Sequence, residues 1–103
     1  MRGLSEIQTV GVVGAGTMGN GIAQVAAPAG YDVVMRDIEQ RFIDNGLAAI
    51  ESSLSRLDAN GELDESPETI QDRITGTTAL GDLADADLVV EAALGDMGVK
   101  QVI

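Results

Sequence analysis

The chain has no cysteine, no histidine and no tryptophan. Without cysteine it can form no disulfide, offers no thiolate nucleophile and builds no zinc–thiolate centre. Without histidine it lacks the side chain that most often serves as a general base near neutral pH. Tyr31 and Phe42 are the only aromatics, so the core has to be assembled from Val, Leu, Ile, Ala and Met. No apolar run reaches the roughly 18 residues of a membrane span. Residues 1–6 lack the apolar stretch of a secretory signal, and the expected location is the cytoplasm. Positive charge is also scarce. Six Lys and Arg face 17 Asp and Glu, a net charge of −11, and Lys100 is the only lysine. That balance argues against nucleic acid and anionic membranes as partners. Residues 41–103 hold thirteen of the acids and four of the bases. The composition resembles that of cytoplasmic proteins from salt-loving microbes, whose surface self-repulsion is relieved by salt.

Glycine is plentiful, and three glycines organise the chain. Residues 10–13 form a short apolar run that enters a turn at Gly14, Gly16 and Gly19, in the form Gly14-Ala15-Gly16-Thr17-Met18-Gly19. An amphipathic segment follows, then a second apolar run ending at Asp37, 18 residues after Gly19. This is the sequence form of a βαβ dinucleotide-binding unit. Gly14 lets the chain leave the strand sharply, Gly16 lets backbone approach a pyrophosphate, and Gly19 lets helix and strand pack closely. The free amides and positive dipole end of the new helix then hold the phosphates. Asp37 is placed to accept hydrogen bonds from the adenosine ribose and to repel a 2′-phosphate, which favours NAD over NADP. Its other reading is a cap for the helix that follows. Arg36 could receive a 2′-phosphate, but strand alternation points it away from Asp37.

The rest of the chain continues the alternation of strand and helix. Met18, Ile22, Val25, Ala26 and Ala29 fall on one helical face, and Pro28 predicts an early or distorted end to that helix. Residues 31–36 read as a second strand and residues 39–59 as the longest helix, stopped by Asn60-Gly61. Ser66-Pro67 opens a short helix. Residues 74–79 and 87–92 read as strands three and four, separated by a turn at residues 81–85. Asp96 is a candidate cap for a last helix containing Val99, Val102 and Ile103. The expected fold is α/β: a Rossmann-type parallel sheet with flanking helices, strand order 3-2-1-4, first half only. Residues 1–103 would form a single partial domain, cut inside the helix after strand four and leaving that strand as a bare edge.

The remaining polar groups suggest little chemistry. Glu62, Asp64, Glu65 and Glu68 lack the spacing of a calcium loop and read as a solvated acidic face. Ser52, Ser53 and Ser55 have no His or Lys companion for nucleophilic work.

Five segments together carry a family resemblance: GVVGAGTMGNGIAQVA, GYDVVMRDI, GLAAIESSLSRL, RITGTT and ADLVVEA. They resemble the N-terminal NAD-binding domain of the 3-hydroxyacyl-CoA (3-hydroxybutyryl-CoA) dehydrogenases, over nearly the whole chain. The resemblance implies NAD-dependent oxidation of a 3-hydroxyacyl-CoA to a 3-oxoacyl-CoA, a reaction of fatty acid metabolism. It also implies that residues 14–19 bind the pyrophosphate and Asp37 the ribose. Glu91 and Ala92 would line the cofactor cleft, Lys100 would lie on the cofactor side, and Ser53 would lie near the CoA. Three positions depart from the family pattern: Gly95 replaces a cofactor-facing glutamate, Pro28 interrupts a helix, and Asn60 stands where some relatives have a CoA-contacting lysine. The family's catalytic serine, histidine, glutamate and asparagine have no counterpart within these 103 residues. The expected partners are therefore NAD, an acyl-CoA, and a missing C-terminal part or partner chain that brings the catalytic groups. Two other readings remain: a stand-alone, non-enzymatic NAD-binding module, and a dehydrogenase of the 3-hydroxyisobutyrate type.

Overall fold

The computed structural model describes residues 7–91 and 98–101. Five strands and three helices alternate along it: β1 (Thr9–Val13), α1 (Thr17–Ala26), β2 (Asp32–Arg36), α2 (Gln40–Ala59), α3 (Pro67–Gln71), β3 (Ile74–Thr77), β4 (Leu88–Glu91) and β5 (Gly98–Gln101), with a 3-10 turn at Leu80–Leu83. The first four strands are parallel in the order β3-β2-β1-β4, as expected, and β5 is added outside β4. Strand β1 therefore sits centrally, where the chain leaves in one direction toward β2 while β4 returns on the other side. That reversal opens the crevice in which Rossmann folds bind nucleotides.

One face of the sheet carries the core. Val10, Val12, Val33, Met35, Ile74 and Val90 are buried there, and Ile43, Ile50 and Leu54 of α2 pack over them without exposure. Helix α2 keeps the predicted period, and it ends where Asn60-Gly61 was expected to stop it. Gly61 has φ +73°, and the Glu62 amide donates to the Leu57 carbonyl at 2.9 Å. Ser66 caps α3, its Oγ accepting from the Thr69 amide at 3.2 Å, with Pro67 in the first turn. On the opposite face Gly11 leaves room for Leu83 and Ala86, since a Cβ there would lie 2.9 Å from Leu83 Cδ2.

Pro28 acts as expected. Helix α1 ends at Ala26, two residues before it, and Gly30 reverses the chain at φ +101°. Arg73 secures this helix end. One guanidinium nitrogen donates both to the Ala27 carbonyl (2.9 Å) and to Glu65 Oε1 (2.8 Å), and the other pairs with Glu65 Oε2. A cation at a helix C-terminus also complements the macrodipole. The Arg73 hydrogen bond lowers the Glu65 pKa against an opposing desolvation, with the guanidinium charge adding to it.

The apolar face of α1 is only partly covered: Ala26 is buried and Ile22 packs against the core, while the other buried positions here are Gly19, Ala23 and Ala27. Small residues lie against the sheet because the glycine turn draws α1 too close for larger ones. Met18, at 39% exposure, and Val25, at 75%, are left outside. One expectation is corrected: the final segment is not a helix at residues 98–101. It is a strand, β5, antiparallel to β4 and pairing Val90 with Val99 and Val89 with Lys100. A two-turn helix is marginal in isolation, whereas β4 offers a row of edge amides and carbonyls. Six intervening residues suffice for an antiparallel return but not for a parallel crossover. The predicted cap, Asp96, lies outside the described residues.

Candidate dinucleotide-binding site

The site lies where β1, β2 and β4 end. Gly14 leaves β1 at φ +110°, which L side chains rarely adopt, and its amide donates to the Arg36 carbonyl at 2.7 Å. Ala15 is almost completely buried, and its amide donates to Asp37 Oδ2 at 2.8 Å. Gly16 is the N-cap residue of α1, with φ −69° and ψ −165°, and no side chain caps that end. The first amides of a helix have no intrahelical acceptor. No acid occupies the first turn of α1 to compete for them.

The three glycines have different reasons to be there. Gly14 is needed for its backbone angle. A Cβ on Gly19 would lie 1.7 Å from the Gly14 carbonyl oxygen, so it is needed for the close crossing of helix and turn. Gly16 has neither constraint. Its backbone angles are open to any residue, and among the described residues a Cβ there would meet no atom within 4 Å beyond its chain neighbours and its own helix. That Cβ would sit at the positive end of a helix dipole.

Asp37 ties β2 to this turn. Besides the Ala15 amide it accepts from the Ile38 amide through Oδ1 at 2.7 Å. Each carboxylate oxygen can accept twice, so acceptor capacity remains for a further pair of donors. The N-cap of α2 is Glu39, so Asp37 is not the helix cap. Arg36 Nε donates to the Thr78 carbonyl at 3.1 Å, which ties that side chain to the segment after β3. Ile38 next to Asp37 is 70% exposed, an apolar surface beside a carboxylate.

Other predicted residues are placed less fully. Glu91 ends β4 alongside Val13 of β1, at the mouth of the crevice. Thr17 and Met18 open α1. Lys100 lies in β5 opposite Val89, and Ala92 lies outside the described residues. Ser53 is half-buried on α2, within 3.4 Å of an Arg56 nitrogen. It lies roughly 10 Å further along the helix than Gly46, so it is not brought to the glycine turn. Among the described residues no group of three or more His, Cys, Asp and Glu could hold a metal, and no helix is long and apolar enough to cross a membrane.

Two residues at the site escaped sequence reasoning. Gly46 sits mid-helix in α2, where a Cβ would lie 2.6 Å from the Ala15 carbonyl oxygen. Glycine there costs about 1 kcal/mol of helix propensity, and that cost in an otherwise regular helix was the available signal. Asn20 Nδ2 donates to the Gly16 carbonyl at 2.9 Å, as does the Asn20 amide, and this fixes the orientation of the Gly16 peptide.

Residues 9–103 match the family model described as 3-hydroxyacyl-CoA dehydrogenase, NAD binding domain. A probable 3-hydroxybutyryl-CoA dehydrogenase of Deinococcus radiodurans is 53% identical over 87% of this chain and 32% of its own length. A 3-hydroxybutyryl-CoA dehydrogenase of Bradyrhizobium diazoefficiens is 45% identical over 94% of this chain and 33% of its own. The crystal structure of (S)-3-hydroxybutyryl-CoA dehydrogenase from Ralstonia eutropha superposes with TM-score 0.83 at 47% identity, over 88% of this chain and 32% of that one. The chain thus spans about a third of the length of these relatives.

Proposed function

The chain belongs to the family of NAD-binding domains of 3-hydroxyacyl-CoA dehydrogenases, and we propose that it supplies the cofactor-holding half of such an enzyme. The observation that carries this reading is Gly16, a glycine at the start of α1 that neither its backbone angles nor any neighbour among the described residues requires to be one. A pyrophosphate fits there, held by the amides of residues 16–19 and favoured by the helix dipole. Asp37 accepts from the adenosine ribose while it anchors the turn through Ala15, and Ile38 offers an apolar surface to the adenine. NAD would supply the hydride acceptor when bound, and the amides of the glycine turn together with Asp37 would hold and orient it.

By family position Ala92 and Lys100 complete the cofactor side and Ser53 lies toward the CoA, well away from the phosphates. The substrate in this reading is a 3-hydroxyacyl-CoA, oxidised at its hydroxyl-bearing carbon. A histidine-free chain supplies no imidazole base for the hydroxyl proton. The catalytic groups therefore come from a further part of the enzyme, and the 103 residues alone turn over no thioester. The acidic surface, with a single lysine, fits work in a salt-rich cytoplasm.

The test is a fusion in which residues 9–103 replace the matched third of the Deinococcus radiodurans relative. The fusion should oxidise 3-hydroxybutyryl-CoA with NAD, while the 103-residue chain should show no acetoacetyl-CoA-dependent loss of NADH absorbance. A folded but inactive fusion, or turnover by the chain alone, contradicts the proposal.

A further inference from the structure

Gly16, Asn20 and Gln24 stand four residues apart, on one stripe of α1 that begins at the glycine turn. Asparagine is a poor helix former, because its side-chain amide competes for backbone groups. Asn20 folds back along the helix, and its Nδ2 donates to the Gly16 carbonyl at 2.9 Å. That carbonyl already accepts from the Asn20 backbone amide at 2.9 Å. The side chain therefore adds a second donor to a group that has one. Gln24 Nε2 in turn donates to Asn20 Oδ1 at 3.0 Å. A side-chain amide has its donors at one end and its acceptor at the other, so this bond settles which end of Asn20 faces Gly16.

We propose that Asn20, supported by Gln24, is a positioning residue for the cofactor phosphates, acting through the Gly16–Thr17 peptide rather than by touching the cofactor. The inference rests on the cofactor reading above and names what holds one of its donor amides in place. The peptide is planar and trans. A Gly16 carbonyl held toward Asn20 therefore holds the Thr17 N–H in the opposite sense, off the start of the helix. That is where the pyrophosphate is assigned. The restraint matters there because glycine, lacking a Cβ, leaves its own backbone the freest to rotate. The two side-chain amides and the peptide also share one polarity. Each donates toward the helix start, in the sense of the backbone dipole, and amides bonded in such a series polarise one another. The Thr17 N–H at the end of the series is thereby the stronger donor. Residues 14–19 include no Lys or Arg, so the phosphates depend on amides, and the orientation of those amides sets the affinity.

NMR titrations of the 103-residue chain with NAD, ADP and adenosine give the test, since only the first two ligands carry a pyrophosphate. Asn20→Ala should weaken NAD and ADP alike by about three- to tenfold, the order of one net hydrogen bond. Adenosine affinity should be unchanged. The thermal midpoint should hold as well, because alanine is the better helix former and Asn20 is only half-buried. Asn20→Asp separates affinity from folding further. A carboxylate near a helix start favours the helix, yet it cannot donate to the Gly16 carbonyl. Its midpoint should not fall, while NAD should bind at least as weakly as it does to Asn20→Ala. Gln24→Ala should cost about twofold in NAD affinity when Asn20 is present and nothing on top of Asn20→Ala, where the series is already cut. Unchanged NAD affinity in Asn20→Ala, an equal loss for adenosine, or additive effects of the two substitutions overturns the inference. An unsubstituted chain that binds none of the three ligands refutes the cofactor reading and the inference with it. NAD binding that Asn20→Ala leaves intact refutes the inference alone, so the two failures are distinguishable.

Discussion

Replacing Gly16 and Gly19 separately by alanine should divide cofactor binding from folding. At Gly16 the new methyl group meets no neighbouring atom of the described residues within 4 Å, at backbone angles alanine adopts freely. Alanine narrows the unfolded ensemble, a contribution of about 0.4–1 kcal/mol. It is a poorer N-cap than glycine, which costs on the order of 0.5–1 kcal/mol. The two nearly cancel, and the urea midpoint of Gly16→Ala should stay close to that of the unsubstituted chain. The same methyl group points into the space assigned to the pyrophosphate, so NAD should bind at least about tenfold more weakly, or 1.4 kcal/mol. At Gly19 the methyl group would lie 1.7 Å from the Gly14 carbonyl oxygen and 2.7 Å from its carbon. A backbone carbonyl cannot rotate aside as a side chain does, so α1 must lift from the turn. The cost should reach or exceed the upper end of the 1–3 kcal/mol usual for overpacking, to order of magnitude. Urea unfolding followed by circular dichroism reads the first effect, and calorimetric NAD titration reads the second. The reasoning fails if Gly16→Ala loses as much stability as Gly19→Ala, or keeps full NAD affinity.

Three further outcomes are expected. Asp37→Ala strands the buried Ala15 amide and should cost roughly 1–3 kcal/mol in urea unfolding as well as weakening NAD; an unchanged midpoint would mean that the bond does not hold the turn. The folded pKa of Glu65 lies below its unfolded value, so its pairing with Arg73 contributes above the ordinary glutamate range and is lost as pH falls through and below it. The melting-temperature gap between the unsubstituted chain and Glu65→Gln should therefore close between neutral and acid pH, and a gap that widens on acidification would contradict the assignment. NAD affinity should rise from dilute buffer to moderate salt, because the phosphates are held by amides within a net negative field; a steady weakening over a salt titration would refute this.

Much of the fold was legible because local signals agreed with the global one. The Gly14–Gly19 spacing, the period of α2, the Ser66-Pro67 start and the Asn60-Gly61 stop each name an element without knowledge of its neighbours. Asp37 stands at the end of an apolar run in the same way, and its carboxylate accepts from the Ala15 amide of the glycine turn. Periodicity could not tell how much of the apolar face of α1 meets the sheet. Met18 and Val25 stay outside it, because Gly19 brings helix and turn so close that only alanines fit beneath. Strand β5 was misread for a related reason. Its preference is set by the unpaired edge of β4, a long-range condition that the short segment of residues 98–101 does not carry. Asn20 and Gly46 became visible as site residues only when β1, α1 and α2 were brought together.

The central claim is that residues 14–19 and Asp37 form an NAD site in this chain, and a paired calorimetric titration with NAD and NADP tests it most directly. The account predicts saturable NAD binding and at least about tenfold weaker binding of NADP, whose 2′-phosphate would meet the Asp37 carboxylate. Equal or tighter binding of NADP, or no saturation by NAD at any salt concentration, would contradict it.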